Sequence, residues 1–270
     1  MSSALTRFPL KFEQLGGFNQ AAEKFILPGY TPAAPFLARD ISVVTIGSCF
    51  AQHIGESLCR LGIAASLISI NEDNTTPFVI DRYLSDMVAK AAEKPSVIAP
   101  IRAASLFILT VGVALQEFLD GAPAFTGNNP DAKKGKWRMF SVDEIAQYIR
   151  HIIALVRQVN PTVHIVLTLS PIPLRASPNH PSVFGQDCLS KSLIRVAIEN
   201  VLKDEVPNMY YWPSFEIVRW LGGHAGPFFG TADADDLRHV SREVLDSIMG
   251  LFIERYFIGG LMQFRPEKTA

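Results

Sequence analysis

Ser48 lies between a strongly apolar segment and a segment with helical periodicity, and a hydroxyl in that position can act as a nucleophile. Residues 41–46 are mostly β-branched and apolar, which predicts a buried strand, and Gly47 allows a sharp turn after it. A serine at the carboxyl end of a strand lies where open α/β sheets bind ligands. The N–H groups of the following helix can then stabilise an oxyanion. The alternative is that Ser48 is an ordinary helix N-cap.

His239 is the best candidate for the base that a serine nucleophile requires. It follows Asp236 by three residues, on a predicted loop that leads into the last helix. A carboxylate at this spacing can fold back on the imidazole, fix its tautomer and stabilise its charged form. Asp235 is the second choice for that acid. The alternative is a solvated acidic loop whose histidine caps the helix.

Cys49 is a competing nucleophile because it stands next to Ser48 at a helix N-terminus, where a thiolate is stabilised. Adjacent residues on a helix point about 100° apart, so Ser48 and Cys49 cannot both face one base. We therefore expect Ser48 to be the nucleophile. Cys49 and His53 lie one turn apart but have no second ligand pair, so we predict no metal site.

The elements that must position these residues alternate between strands and helices. This alternation predicts a three-layer α/β domain of flavodoxin-like type, with a mostly parallel five-stranded sheet covered on both faces. We expect an N-terminal arm over residues 1–40, one domain over 41–258 and a tail over 259–270. The predicted strands cover residues 41–47, 63–70, 106–113, 163–169 and 209–212. The predicted helices cover residues 20–25, 49–61, 78–92, 141–160, 188–202, 214–221 and 240–257, with a possible hairpin over 116–140 and an irregular loop over 171–187.

The letters Gly-Ser-Cys-Phe-Ala at 47–51 resemble the signature of the GSCFA family, which is related to the SGNH (GDSL-type) hydrolases. The resemblance extends over about residues 41–257, because further blocks follow in order at 109–112, 168–173, 190–192 and 211–216. It implies an SGNH-like fold in which Ser48 is the nucleophile. The Asp-x-x-His block of those hydrolases matches Asp236 and His239, which implies that they complete a catalytic triad.

One departure from the SGNH pattern affects the oxyanion hole. Those hydrolases usually have an asparagine two residues after the glycine of the third block, and this chain has Ala114 there. The remaining candidate donors are the backbone N–H groups of Ser48 and Gly112, with an amide from Asn74 or Gln116.

Composition excludes several other functions. The net charge of −1 comes without a basic stripe, so we do not expect a nucleic-acid partner. The chain has no G-x-G-x-x-G or P-loop motif, and we predict no nucleotide or other cofactor. The N-terminus lacks an apolar signal region, and the longest apolar run is too short for a bilayer. We therefore expect a cytoplasmic protein that does not enter a membrane and keeps its three cysteines reduced.

These patterns together predict a serine-dependent ester hydrolase that acts on a small-molecule or carbohydrate ester through a Ser-His-Asp triad. Two alternatives share the same fold. The site is an O-acyltransferase if a sugar or polysaccharide hydroxyl replaces water. With Ala114 in place of the usual asparagine, it is also compatible with a catalytically inactive binding module.

Overall fold

The computed structural model describes residues 7–70, 75–125, 135–224, 226–230 and 237–261. In chain order its strands are β1 Ser42–Gly47, β2 Ala64–Ile68, β3 Leu106–Val111, β4 Leu115–Leu119, β5 Ala122–Pro123, β6 Lys136–Met139, β7 His164–Leu169 and β8 Met209–Trp212. Its helices are α1 Phe18–Phe25, α2 Cys49–Arg60, α3 Pro77–Lys90, α4 Ala99–Ala103, α5 Val142–Val159, α6 Val183–Leu202, α7 Ser214–Glu216 and α8 Arg242–Tyr256. Short 3₁₀ turns cover Phe12–Gln14 and Pro95–Ile98, and a π-helical turn over Ile217–Leu221 continues α7.

Five of these strands form one sheet in the order β2-β1-β3-β7-β8, and every neighbouring pair in it is parallel. Numbered along the chain within the sheet, this is the 2-1-3-4-5 order of flavodoxin-like folds. The predicted fold class is confirmed. Each predicted strand of the sheet is present, although β2 and β3 end two residues earlier than the apolar pattern indicates.

The sheet has a hydrophobic core on each face, as the alternation of strands and helices predicts. On one face Val44, Ile46 and Leu109 pack against α3, α5 and α6. On the other face Val43 and Ile108 pack against α2 and α8. All of β3 is buried, which explains its continuous apolar sequence.

The segment between β3 and α5 forms a small second sheet in which β5 and β6 flank β4, with antiparallel pairing. This is more than the hairpin suggested by the turn signals. β4 is nearly fully buried although it contains Gln116 and Glu117, and both of these side chains accept or donate hydrogen bonds within the small-sheet region.

The helix predicted over 188–202 begins earlier, at Val183, and Ser182 is its N-cap. The prolines of the preceding loop hid this start, because the last of them, Pro181, stands only two residues before the helix. The irregular segment after β7 is therefore shorter than predicted, and α6 reaches the edge of the sheet.

Residues of the N-terminal segment lie against α8. The N–H groups of Phe36 and Leu37 donate to the carbonyl of Tyr256, and Ile258 N–H donates to the carbonyl of Leu37. Leu27 and Leu37 are buried in the same core as α8. Within the described part of the chain, no helix is both long enough and apolar enough to cross a membrane.

Candidate active site

The carboxyl ends of β1 and β3 meet at the point where the strand order reverses, which is where doubly wound sheets bind ligands. Gly47 ends β1 with φ +135°, and a Cβ there would lie 1.9 Å from the carbonyl oxygen of Thr110. Only glycine permits this approach. The backbone therefore delivers Ser48 beside Gly112, which follows β3.

Ser48 occupies the N-cap position of α2, but its side chain does not cap the helix. Its backbone is extended, and the N–H of Ala51 bonds to the carbonyl oxygen of Ser48 instead. The hydroxyl is buried and has no hydrogen-bond partner within the described part of the chain. An unpaired buried hydroxyl costs roughly 1–3 kcal/mol. The hydroxyls of Thr45, Thr110, Thr168 and Ser214 are unpaired in the same way, so the missing bond does not by itself indicate a function. It also means that Ser48 is not hydrogen-bonded to His239 in this structure.

Four other helices of this protein do have a hydroxyl that caps the helix N-terminus. The side chains of Thr76, Ser141, Ser182 and Ser241 precede α3, α5, α6 and α8, and each accepts a hydrogen bond from a backbone N–H of its helix. Ser48 differs from all of them. The structure thus weakens the alternative that Ser48 is an ordinary N-cap.

A cleft of about 390 Å³ opens at this edge of the sheet. Ser48, Gly112 and His239 all line it, so the structure brings three of the predicted site residues together. The rest of the described lining consists of Gly47, Cys49, Gln52, Leu67, Ile68, Ser69, Ile70, Thr75, Val113, Ser170, Ile172, Pro173, Leu174, Arg175, Lys191 and Arg238. It contains cationic groups and, among the described residues, no Asp or Glu.

His239 reaches the cleft from the segment just before α8, as the sequence predicts. This segment is held by an antiparallel bridge between Phe229 and Val240 and by a bond from Gly230 N–H to the His239 carbonyl, 3.3 Å. The ring of His239 lies edge-to-face with the ring of His53, with centroids 5.9 Å apart. His53 belongs to α2, the helix that follows Ser48, and α2 packs against α8, the helix that follows the His239 segment.

Lys191 also lines the cleft, and the sequence did not predict it as a site residue. It lies on α6 and is 2% exposed. Its ammonium group donates to the carbonyls of Gly112, 2.6 Å, and Ile172, 2.7 Å. Burial lowers the pKa of Lys191 to about 8, with Asp187 opposing and Arg219 adding to the shift. A fully buried lysine is rare. The sequence around Lys191, a lysine between two serines, gives no sign that this side chain is buried.

Cys49 also lines the cleft, but its thiol is poorly activated. Cys49 is exposed as a whole residue, but burial around its thiol raises the pKa of that thiol, and the charges of Arg238 and Lys191 oppose the rise. The thiolate is the reactive form of cysteine, so a raised pKa makes Cys49 a weak nucleophile at neutral pH.

The other predicted oxyanion donors do not reach the cleft or lie outside the described residues. Gln116 is buried in β4, where its amide donates to the carbonyls of Glu117 and Ala124 and its oxygen accepts from Thr76. Because both amide hydrogens of Gln116 are already donated to backbone carbonyls, Gln116 cannot be the oxyanion donor that the sequence suggested. Asn74, Asp235 and Asp236 lie outside the described residues.

The model of the GSCFA family matches residues 95–252 of this chain. The matched range contains Gly112, Lys191 and His239, and it begins after Ser48. No curated protein matches the sequence at a significant level.

Among solved structures the chain is similar to a protein from Parabacteroides merdae described as a GDSL-like lipase, with 11% identity over 86% of this chain and 100% of the other, and a TM-score of 0.46. It is also similar to a carbohydrate esterase family 2 enzyme with a carbohydrate-binding domain from Corynascus thermopiles (Myceliophthora fergusii), with 14% identity, 82% and 66% coverage, and a TM-score of 0.43. A third is a salicylyl-acyltransferase from a tetracycline biosynthetic pathway, with 14% identity, 80% and 54% coverage, and a TM-score of 0.42. All three sequences are too distant from this chain to bear on its substrate.

Proposed function

The chain belongs to the GSCFA family, and we propose that it is a serine-dependent hydrolase of acyl esters, with Ser48 as the nucleophile. The observation that carries the proposal is that Ser48, which does not cap its own helix, lies in one cleft with His239 and Gly112. A cleft of about 390 Å³ is within the usual size of small-ligand sites. The substrate is accordingly an ester of a small molecule or the acylated end of a carbohydrate.

In the first half-reaction Ser48 Oγ attacks the ester carbonyl carbon while His239 takes the hydroxyl proton. The carbonyl oxygen becomes an oxyanion, which accepts hydrogen bonds from the backbone N–H groups of Ser48 and Gly112. The intermediate collapses with loss of the alcohol, which receives the proton from His239, and an acyl-Ser48 remains.

In the second half-reaction His239 removes a proton from water, and the resulting hydroxide attacks the acyl carbon. Collapse of this intermediate returns the proton to Ser48 Oγ and releases the carboxylic acid. Asp236 is proposed to orient His239 and stabilise its charged form, and Asp235 is the second choice for that role. An alcohol in place of water gives the O-acyltransferase reaction at the same site.

A fluorophosphonate probe tests the nucleophile, because it phosphonylates only an activated serine. We expect the wild-type protein to be labelled at Ser48 and Ser48→Ala to be unlabelled, with ester hydrolysis reduced by up to about 10⁶-fold. Ser69→Ala is the matched control, since Ser69 also lines the cleft, and it should be labelled like the wild type. Cys49→Ala should also be labelled like the wild type, because the thiol is not the proposed nucleophile.

Two outcomes would contradict the proposal. If the folded wild-type protein is neither labelled nor active on any ester, the inactive binding module becomes the better description. If Cys49→Ala abolishes hydrolysis while Ser48→Ala retains it, the nucleophile is the thiol.

A further inference from the structure

Lys191 is a buried cation in the proposed site to which the triad mechanism gives no role. Its side chain crosses from α6 to the ends of β3 and β7, where it bonds the carbonyls of Gly112 and Ile172. A Cβ on Gly112 would lie 3.7 Å from Lys191 Nζ, so the ammonium packs directly beside this residue. The charge is therefore held next to the predicted oxyanion donor.

The hydrogen-bond capacity of Lys191 is not used up. An ammonium group has three N–H donors, and the carbonyls of Gly112 and Ile172 accept two of them. Within the described part of the chain the third N–H has no acceptor. Because Lys191 lines the cleft, this N–H is available to a bound molecule. A buried ammonium with an unused donor beside an open cleft is arranged to bind an oxygen that carries negative charge.

Position 114 is where the usual side-chain oxyanion donor is missing. Ala114 is fully buried, and its N–H donates to Ser190 Oγ, 2.9 Å. Neighbouring residues of α6 thus do two things: Ser190 holds the backbone at Ala114, and Lys191 brings its charge beside Gly112. No side-chain donor is present at position 114 itself.

We propose that Lys191 is a catalytic residue that donates its third N–H to the oxyanion, and so replaces the side-chain amide missing at position 114. The proposal rests on the proposed function, since it assigns a role in the same reaction. No extra reactant is involved, because the ammonium keeps its proton throughout and only stabilises the negative charge that forms on the carbonyl oxygen.

The charged groups around Lys191 are compatible with this role. Asp187 on α6 is the carboxylate that raises the pKa of Lys191. Its own oxygens accept hydrogen bonds from Arg219, at 2.7 Å, and from Leu174 N–H. Arg219 and Cys49 are the other groups that act on the ammonium. With a pKa of about 8, Lys191 is mostly charged at pH 7 and loses its charge as the pH rises above 8.

The test measures hydrolysis of p-nitrophenyl acetate, a neutral ester, by Lys191→Met, Lys191→Arg and the surface control Lys203→Met. We expect Lys191→Met to lose about 10²–10³ in kcat with little change in KM, as when one oxyanion donor is removed. Lys203→Met should match the wild type, because Lys203 is exposed after the end of α6. An unchanged kcat in folded Lys191→Met, or an effect on KM alone, would overturn the proposal.

The pH profile separates a catalytic from a structural lysine. In the wild type and in Cys49→Ala, kcat should fall above about pH 8 as Lys191 deprotonates. Lys191→Arg keeps its charge through this range, so its remaining activity should lack that alkaline decrease. A wild-type kcat that stays flat up to pH 9.5 contradicts the proposal even if neither variant folds. Labelling of Ser48 by the fluorophosphonate in the wild-type protein reports on the proposed function, whatever the Lys191 variants show.

Discussion

His239 is the residue on which the proposed proton transfers depend. It lines the cleft with Ser48 and is held in place from its backbone, by Gly230 and by the bridge at Val240. His53 is the one other imidazole nearby, with its ring centroid 5.9 Å from that of His239. Substitution of each histidine therefore gives a matched comparison, because only His239 is proposed to transfer protons.

We expect His239→Gln to reduce kcat for ester hydrolysis by about 10⁴–10⁶-fold, because the serine then lacks its base. His53→Gln should stay close to the wild type, since His53 does not line the cleft. Steady-state kinetics with both variants, checked by circular dichroism for folding, make the comparison. A reversal of the two results would assign the base to His53.

At the scale of the element, α5 shows how short-range sequence signals fix a helix end. Ser141 Oγ accepts from Glu144 N–H, and the Glu144 carboxylate accepts from Ser141 N–H, which is a capping box of the type Ser-x-x-Glu. Arg138 on β6 also binds this carboxylate through both guanidinium ends, at 2.9 and 2.7 Å. The helix start is thereby tied to the small sheet.

The same contacts predict a pH dependence of stability. The bond from Arg138, helped by those from Ser141, lowers the pKa of Glu144 from 4.5 to about 2. The stabilisation by Glu144 is therefore complete above pH 4.5 and is lost as the pH falls toward 2. Glu144→Gln should have a smaller loss of unfolding free energy between pH 5 and pH 2.5 than the wild type, measured by urea denaturation.

Asp143→Asn is the matched control for that experiment, because it removes an acid from the same helical turn without touching the bond to Arg138. Its pH dependence should resemble that of the wild type. If Glu144→Gln and the wild type have equal acid sensitivity, the Arg138–Glu144 contact does not contribute to stability in solution. Because both side chains are partly exposed, the effect is expected to be modest.

At the scale of the whole molecule, the N-terminal segment and α8 share one core. Leu37 is buried between them, and its backbone is paired with Tyr256 and Ile258. α8 begins three residues after His239, and it packs on α2, which begins immediately after Ser48. The packing of this core therefore helps to hold α2 and α8, and with them the segments of Ser48 and His239, in place.

We expect Leu37→Ala to lower the free energy of unfolding by about 2–5 kcal/mol, because it leaves a cavity in a packed core. Leu10→Ala should change it by less than about 0.5 kcal/mol, since Leu10 is 88% exposed in the same N-terminal segment. Chemical denaturation of both variants provides the measurement. Equal stability of the two would mean that the segment does not pack on α8 in solution.

The sequence by itself determined the order and type of the main elements and the position of Ser48 at the end of a strand. Hydrophobic periodicity and turn residues are local properties, so β1, α5 and β8 can be read almost to the residue. The strand order is implied by the flavodoxin-like class that the sequence predicts, and right-handed crossovers between parallel strands leave few other arrangements.

Only the tertiary structure decided which polar groups face the cleft. Gln116 is turned into hydrogen bonds with its own sheet, whereas Lys191 reaches Gly112 from a helix distant in the chain. Whether the Ser48 hydroxyl caps its helix or stays unpaired is likewise visible only in the folded structure. Such contacts join residues far apart in sequence, and no local pattern records which side chain satisfies which partner.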